Sequence, residues 1–326
     1  MFEALMIRRA EGVVTTRLEQ IAPDTLPEGD VSVQVSHSSL NYKDAMAITR
    51  GTPVVRRFPM VPGIDLAGQV VHSDDPVYQP GDQVIATGWG LGESHWGGLA
   101  GMARLPGRWL LPRPGNLSAR QAMGIGTAGF TAMLCVMALE DGGVTPASGP
   151  IIVNGAGGGV GGMAIMLLAQ LGYEVVVVTG RPQLHAYLTS LGATEILPRD
   201  TLSPTGKALE TARWAGGIDV VGGEALATMC ASIRHGGTVA ACGLAGGMNL
   251  PLTVAPFILR NVRLQGIDSV MCPRPRRMAA WARLARDVDP TRLDSMLHDA
   301  PLNDAIVTAP RILAGHIRGR TVITIA

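Results

Sequence analysis

Apolar and polar residues alternate along short stretches in the first third of the chain. Residues 31–35 (VSVQV) have the two-residue period of a half-buried strand, and residues 64–71 and 83–86 are similar short runs. The segments between them carry turn chemistry: Pro27-Glu28-Gly29-Asp30, Pro62-Gly63 and Pro80-Gly81-Asp82. Short strands broken by frequent turns predict a β-rich, barrel-like unit.

The rhythm changes near residue 120. Ser118 is placed to cap a helix carrying Ala122, Met123 and Ile125, and residues 131–139 (TAMLCVMAL) form a second helical stretch. A βαβ series follows. Residues 151–153, 174–178 (EVVVV), 194–197, 218–221 and 237–242 read as strands, and residues 160–171, 184–191 and 225–233 as helices. Uninterrupted apolar strands alternating with helices predict a parallel, doubly wound α/β sheet of Rossmann type. The chain ends in residues 320–325 (RTVITI), a strand expected to pair back onto the first unit and make it discontinuous. The expected boundaries are 1–121 with 268–326 for the β-rich unit and 122–267 for the Rossmann unit. Residues 262–267 read as an edge strand able to pair across a two-fold axis, which predicts a homodimer.

Composition supports this picture. A chain of 326 residues with 47% hydrophobic and 16% charged residues has apolar surface for two packed domains. A net charge of +1 and 4% aromatics disfavour a nucleic-acid partner. Cys135, Cys230, Cys242 and Cys272 show no C-x-x-C spacing, which fits a reducing compartment better than a zinc ribbon or a disulfide scaffold. Residues 1–10 lack a signal-type apolar core, and no run reaches about 18 uninterrupted apolar residues. The expectation is a cytoplasmic protein without a membrane partner.

The sharpest local signal is residues 155–162 (GAGGGVGG), which follow a predicted strand and open a predicted helix. Glycine lets the backbone approach a ligand, and the helix N-terminus turns N–H groups and a positive dipole end toward an anion. Gly157, Gly158, Gly159 and Val160 are therefore assigned to a dinucleotide pyrophosphate. About twenty residues on, where NAD enzymes place an acid for the ribose hydroxyl, the strand ends Thr179-Gly180-Arg181. A guanidinium there suits a 2′-phosphate, so the expected cofactor is NADPH. None of the seven histidines pairs with a cysteine at short range, and no metal site is expected.

Further segments are residues 39–44 (SLNYKD), 58–65 (FPMVPGID), 88–90 (GWG), 95–100 (HWGGLA), 125–133 (IGTAGFTAM), 241–247 (ACGLAGG), 256–266 (PFILRNVRLQG) and 319–321 (GRT). With the order of the two units, they resemble the zinc-free acrylyl-CoA reductase (quinone-oxidoreductase-like) branch of the medium-chain dehydrogenase/reductase superfamily, over nearly the whole chain. The resemblance implies a GroES-like catalytic domain beside the Rossmann domain. Asn41 stands where zinc-dependent relatives have a cysteine ligand, and Ile64-Asp65 where they have His-Glu. The branch usually has serine at the positions of Gly157 and Gly162.

The implied reaction is NADPH-dependent reduction of the C=C bond of an α,β-unsaturated acyl-CoA, acrylyl-CoA to propanoyl-CoA. Tyr42 is then either a hydroxyl donor to the developing enolate or a packing surface for the nicotinamide, and Asn41 an amide donor to the thioester carbonyl. By the same resemblance Thr127, Arg199, Leu244, Ile258, Ser269 and Arg320 touch the cofactor; Leu244 and Ile258 also read as ordinary core. Arg56-Arg57 and the Arg274, Arg276 and Arg277 cluster are candidates for the CoA phosphates. Two alternatives stay open: a quinone or enone reductase, and an NADPH-binding protein without turnover.

Overall fold

A hairpin the alternation rule does not reveal opens the chain. Strands β1 (Phe2–Ala10) and β2 (Val13–Ile21) pair in register through a two-residue turn, Glu11-Gly12, both at positive φ. The computed structural model describes residues 1–325. It divides them into two units, residues 1–127 with 270–274 and 293–326, and residues 128–269 with 275–292.

After the hairpin, the first unit continues with β3 (Val31–Leu40), α1 (Tyr42–Arg50), β4 (Asp65–Ser73), β5 (Gln83–Thr87), β6 (Met102–Leu105) and β7 (Leu111–Pro112). Each of the predicted strands at 31–35, 64–71 and 83–86 lies within one of these. Next comes α2 (Ala119–Asp141), whose entry is capped as predicted: the Gln121 N–H donates to Ser118 Oγ at 3.1 Å. Gly126, at φ 47° and ψ −154°, breaks α2. The stretch is long and apolar enough to cross a membrane, yet it is kinked and almost wholly buried, as a core helix is.

The second unit is the predicted βαβ series: β8 (Ile151–Val153), α3 (Gly159–Gln170), β9 (Val175–Thr179), α4 (His185–Leu191), β10 (Glu195–Pro198), β11 (Trp214–Asp219), α5 (Gly223–Ala231), β12 (Ile233–Ala241), α6 (Ala255–Arg260) and β13 (Arg263–Gly266). All six strands are parallel, in the order β10-β9-β8-β11-β12-β13. The chain order therefore reverses between β8 and β11, where such sheets bind ligands. The four valines of β9 are all buried, as burial on both sheet faces demands. Strand β11 begins four residues before the predicted one. Its sequence WAGGID hides the pattern, because Gly217 lies where a Cβ would meet Met229 Sδ at 2.5 Å.

The chain closes with α7 (Arg274–Asp287), α8 (Pro290–Met296), β14 (Leu297–Pro301), α9 (Ala305–Leu313) and β15 (Arg320–Thr324). Strand β15 pairs antiparallel with β3, with Thr321 opposite Leu40, so the terminal segment completes the first unit's seven-stranded sheet. Ile323 and Leu302 share that unit's core with Leu5, Val33 and Leu66. The observed division falls at Thr127, next to the Gly126 break in α2, rather than at residue 121. Residues 275–292, expected with the β-rich unit, belong to the Rossmann unit.

Candidate functional site: a buried carboxylate hub and a glycine cradle

In the first unit, β3 runs into α1 through Asn41, which caps the helix with a reciprocal capping box to Asp44. Tyr42, the first helical residue, is 49% exposed and presents its ring at the helix N-terminus. Beneath it lies a closed polar cluster. Asp65, fully buried at the start of β4, accepts from Ser39 Oγ at 2.5 Å, Asn41 Nδ2 at 2.9 Å, Thr127 N at 3.0 Å and Thr127 Oγ1 at 2.5 Å. Its countercharge is Arg320 of β15, only 3% exposed, with Nη2 3.9 Å from Asp65 Oδ2. Arg320 also donates to Asn41 Oδ1 at 3.0 Å, Ser39 Oγ at 2.9 Å and the Gly124 carbonyl at 2.9 Å.

Asp44 is the second buried carboxylate. It accepts from Asn41 N at 2.8 Å, Asn41 Nδ2 at 3.0 Å, Gly63 N at 3.1 Å and Ile64 N at 2.9 Å. Burial, and then the charge of Asp65, push its pKa up to about 6, against the pull of the Asn41 and Ile64 hydrogen bonds. Burial pulls the Arg320 guanidinium down from its usual range, opposed by Asp65 and Asp44.

Two expectations are corrected here. Asn41 directs its amide protons at Ser39, Asp44 and Asp65 and its oxygen at Arg320, so the amide works inside the hub and not as a donor to a substrate carbonyl. Arg320 is a buried structural cation rather than a cofactor contact. Thr127, just past the Gly126 kink, gives its hydroxyl proton to Asp65.

In the second unit, β8 delivers Asn154 and then the glycine turn. Gly155 sits at φ 59°, and a Cβ on Gly161 would lie 2.4 Å from the Gly155 carbonyl oxygen. The turn is therefore a cradle that side chains would fill. Gly158 is the N-cap of α3 and brings no side-chain cap, which leaves the first-turn N–H groups for an anion. The residues thus fit a dinucleotide pyrophosphate.

Asn154 and Asp219 clasp the two strands at the reversal point. Asn154 Nδ2 donates to Asp219, the Val220 N–H donates to Asn154 Oδ1 at 2.8 Å, and the Gly222 N–H donates to Asp219 Oδ2 at 2.7 Å. Burial raises the Asp219 pKa against these hydrogen bonds. Sequence reasoning missed this pair; an Asn directly after one strand and an Asp ending another were its only trace.

The end of β9 gathers two guanidinium groups. Arg181 Nη2 lies 2.3 Å from where a Cβ on Gly157 would be, and Arg199 lines Gly180 at about 3.7 Å from its missing Cβ. The Arg181 N–H donates to Thr179 Oγ1 at 3.2 Å. Thr179, Gly180, Arg181 and Arg199 therefore converge with Gly157 at one corner of the cradle. Leu244 and Ile258 are 62% and 73% exposed, which excludes the core alternative for both. The Ser269 carbonyl accepts from Arg277.

The basic cluster on α7 is engaged within the protein. Arg274 donates to the Arg108 and Leu110 carbonyls, Arg276 pairs with Asp141, and Arg277 is buried against the Phe130 ring. These three residues are corrected from phosphate candidates to structural ones. Arg56 and Arg57 are exposed.

Comparison with known proteins gives the same two parts. Residues 27–115 match the alcohol dehydrogenase GroES-like domain and residues 159–286 the zinc-binding dehydrogenase family. The chain is 53% identical to the probable acrylyl-CoA reductase of Escherichia coli K12, over 99% of both chains. It is 50% identical to the acrylyl-CoA reductase of Ruegeria pomeroyi, over 100% of this chain and 99% of that one. The crystal structure of the Salmonella enterica yhdH oxidoreductase in complex with NADP superposes with a TM-score of 0.98 at 52% identity, covering 99% of this chain and all of the other.

The hub gives two expectations for stability. Arg320→Leu strips both buried carboxylates of their cation and is expected to cost about 3–5 kcal/mol, read from urea unfolding; a loss within 1 kcal/mol of zero would remove Arg320 from that role. For Asp44 the folded pKa lies above the unfolded value, so its contribution is full below about pH 4 and is lost as pH rises through about 6. Wild type should therefore lose stability relative to Asp44→Asn between pH 4 and 7, by up to about 3 kcal/mol. A pH-independent difference between the two proteins would contradict the assignment.

Proposed function

We propose, from the premise that this chain belongs to the quinone-oxidoreductase-like branch of the medium-chain dehydrogenase/reductase family, that it is an NADPH-dependent acrylyl-CoA reductase. The carrying observation is the identity of 50–53% to acrylyl-CoA reductases over essentially the full chain. The second support is local: the cradle at Gly155–Gly161 fits a pyrophosphate, and Arg181 and Arg199 at the end of β9 fit a 2′-phosphate where an NAD enzyme has an acid.

When bound, NADPH supplies the hydride that reduces the β-carbon of the enoyl thioester. The chain must then stabilise the negative charge that develops on the thioester oxygen and admit a proton at the α-carbon. Tyr42 is our candidate for the first task. Its ring is exposed, and its backbone is fixed by the Asn41–Asp44 capping box and the hub below it. A phenol donates a hydrogen bond to a forming enolate without having to ionise. Asn41, Thr127 and Arg320 act one step back, by holding the floor on which Tyr42 stands. Gly157, Gly158, Gly159, Val160, Thr179, Arg181 and Arg199 would hold the cofactor.

We also infer a homodimer in the cytoplasm. Strand β13 is an edge strand of the six-stranded sheet, and Val254, Ile258 and Leu259 on and before the adjacent α6 are exposed apolar residues. The four cysteines, all free thiols, fit a reducing compartment. Sedimentation should give twice the 34.1 kDa chain mass, and Leu259→Glu should shift it toward the monomer; a wild type sedimenting as a monomer at micromolar concentration would end the dimer reading.

The enzyme reading is tested by NADPH oxidation with acrylyl-CoA, crotonyl-CoA and a simple quinone. Acrylyl-CoA is expected to give the highest kcat/KM, with Tyr42→Phe lowering kcat at least about tenfold. Faster turnover of the quinone would favour the quinone-reductase alternative, and full activity of Tyr42→Phe would take Tyr42 out of the mechanism.

A further inference from the structure

Between the buried hub residues Asp44 and Asp65 the chain carries three arginines, Arg50, Arg56 and Arg57, and no acid. All three are exposed. Among the described residues, their side chains form no ion pair and no hydrogen bond. Arg8 and Arg120 of the same unit, by contrast, are matched by Glu19 and by Asp294 with Asp299. The Arg56 N–H donates to the Glu93 carbonyl at 2.8 Å, yet the Glu93 carboxylate is taken by Lys43, whose Nζ lies 2.9 Å from Oε1.

The Arg56–Arg57 pair stands on a fixed backbone. Val54 and Val55 before it and Met60 after it are buried with Ile7 and Ala47 in a small apolar cluster. The Val55 N–H donates to the Gly51 carbonyl at 2.8 Å, the Met60 N–H to the Ile7 carbonyl at 2.9 Å, and the Trp96 indole N–H to the Pro59 carbonyl at 3.0 Å. Two like charges on adjacent residues are thus held at the surface with the main chain anchored on both sides. An anion relieves their repulsion, and the guanidinium fork matches phosphate oxygens. An anchored backbone also has little ordering left to lose when an anion binds. The same loop is tied to Tyr42: Lys43 is the next residue of α1, and its partner Glu93 holds the Arg56 backbone. An acyl-CoA is itself long, with its thioester and its phosphates at opposite ends of the pantetheine arm.

We propose that Arg56 and Arg57 are the seat for the phosphate-bearing nucleotide end of the acyl-CoA substrate, with Arg50, at the end of α1 just before the loop, adding positive charge. The inference rests on the acyl-CoA reading given above. It makes the pair a device for selecting CoA thioesters over enones and quinones that carry no phosphate. The nucleotide end takes no part in the bond changes, so its contacts are equally strong before and in the transition state. Losing them therefore raises KM and leaves kcat in place. A thioester without phosphates should not feel the loss.

The test compares wild type with the double variant Arg56→Gln, Arg57→Gln, which removes both charges and keeps polar side chains at two exposed positions. Steady-state NADPH oxidation is measured with acrylyl-CoA and with the acrylyl thioester of pantetheine, which lacks the nucleotide and its phosphates. The variant should raise KM for acrylyl-CoA at least about tenfold, as loss of charge-assisted hydrogen bonds does, with kcat within about twofold of wild type. Its kcat/KM for acrylyl-pantetheine and its KM for NADPH should each stay within about twofold of wild type. Added potassium chloride should raise the wild-type KM for acrylyl-CoA more steeply than that of the variant. Three results would overturn the proposal: an unchanged KM for acrylyl-CoA, an equal loss with both thioesters, or a matching rise in KM for NADPH, which would assign the arginines to the other phosphate-bearing reactant. In each of these wild type still reduces acrylyl-CoA, so the enzyme reading stands. A wild type that turns over a quinone but neither thioester is a different outcome; it removes the acyl-CoA reading and this inference together.

Discussion

The first unit depends on a charge that has nowhere else to go. Asp65 is fully buried, and a carboxylate in such a place is tolerable only with its oxygens occupied and a cation near. The fold supplies both from three directions. Ser39 and Asn41 come from the β3–α1 junction, Thr127 from the kinked α2, and Arg320 from the last strand. The terminal strand therefore brings the hub its cation, so the discontinuity of this unit is supported by an ion pair as well as by the pairing of β15 with β3. Asp44 adds a second carboxylate to a hub with one cation, and burial, followed by the charge of Asp65, raises its pKa. Tyr42 follows Asn41, a member of this arrangement, as the first residue of α1.

The second unit solves a different problem. A parallel sheet buried on both faces leaves polar backbone only at its ends, so its chemistry concentrates where the strand order reverses. At that point β8 and β11 end in Asn154 and Asp219, and each takes a hydrogen bond from the loop that leaves the other strand or its own. The clasp keeps the two strand ends in fixed relation while the glycine turn departs from one of them. The cradle can thus be free of side chains without being loose.

Much of this was legible in the sequence, and the parts that were not share a cause. The glycine turn, the valine strand and the helix cap at Ser118 are local patterns, and the chain folds as they say. Thr179-Gly180-Arg181 was readable because a cofactor rule fixes the distance from the turn. The hub was not readable as a unit: Asn41 and Asp65 are 24 residues apart, Thr127 and Asp65 62, and Arg320 and Asn41 279. Only the Asn41–Asp44 capping box had a short-range signature. The opposite error came from Arg274, Arg276 and Arg277, which are adjacent in sequence but point at a carbonyl pair, a carboxylate and an aromatic ring. Density of charge along a chain says little about where the charges end up.

Asp65 and Asp219, one buried aspartate from each unit, show why the same residue type has opposite consequences in the two units. Asp65 has a guanidinium beside it, so its charge is matched inside the protein and can orient neighbouring hydroxyl and amide groups permanently. Asp219 is met by N–H donors: the Asn154 amide and the backbone at Val221 and Gly222. A full negative charge there would work against a pyrophosphate bound at the adjoining turn. Burial without a cation works against that charge, and it is burial that raises the Asp219 pKa. Placing a guanidinium next to Asp219 would stabilise its charge, but it would also compete with the turn for the anion. Leaving that cation out, and supplying Arg181 and Arg199 instead beside the end of β9, keeps the positive charge where, on the proposed NADPH reading, the extra phosphate of the cofactor is recognised.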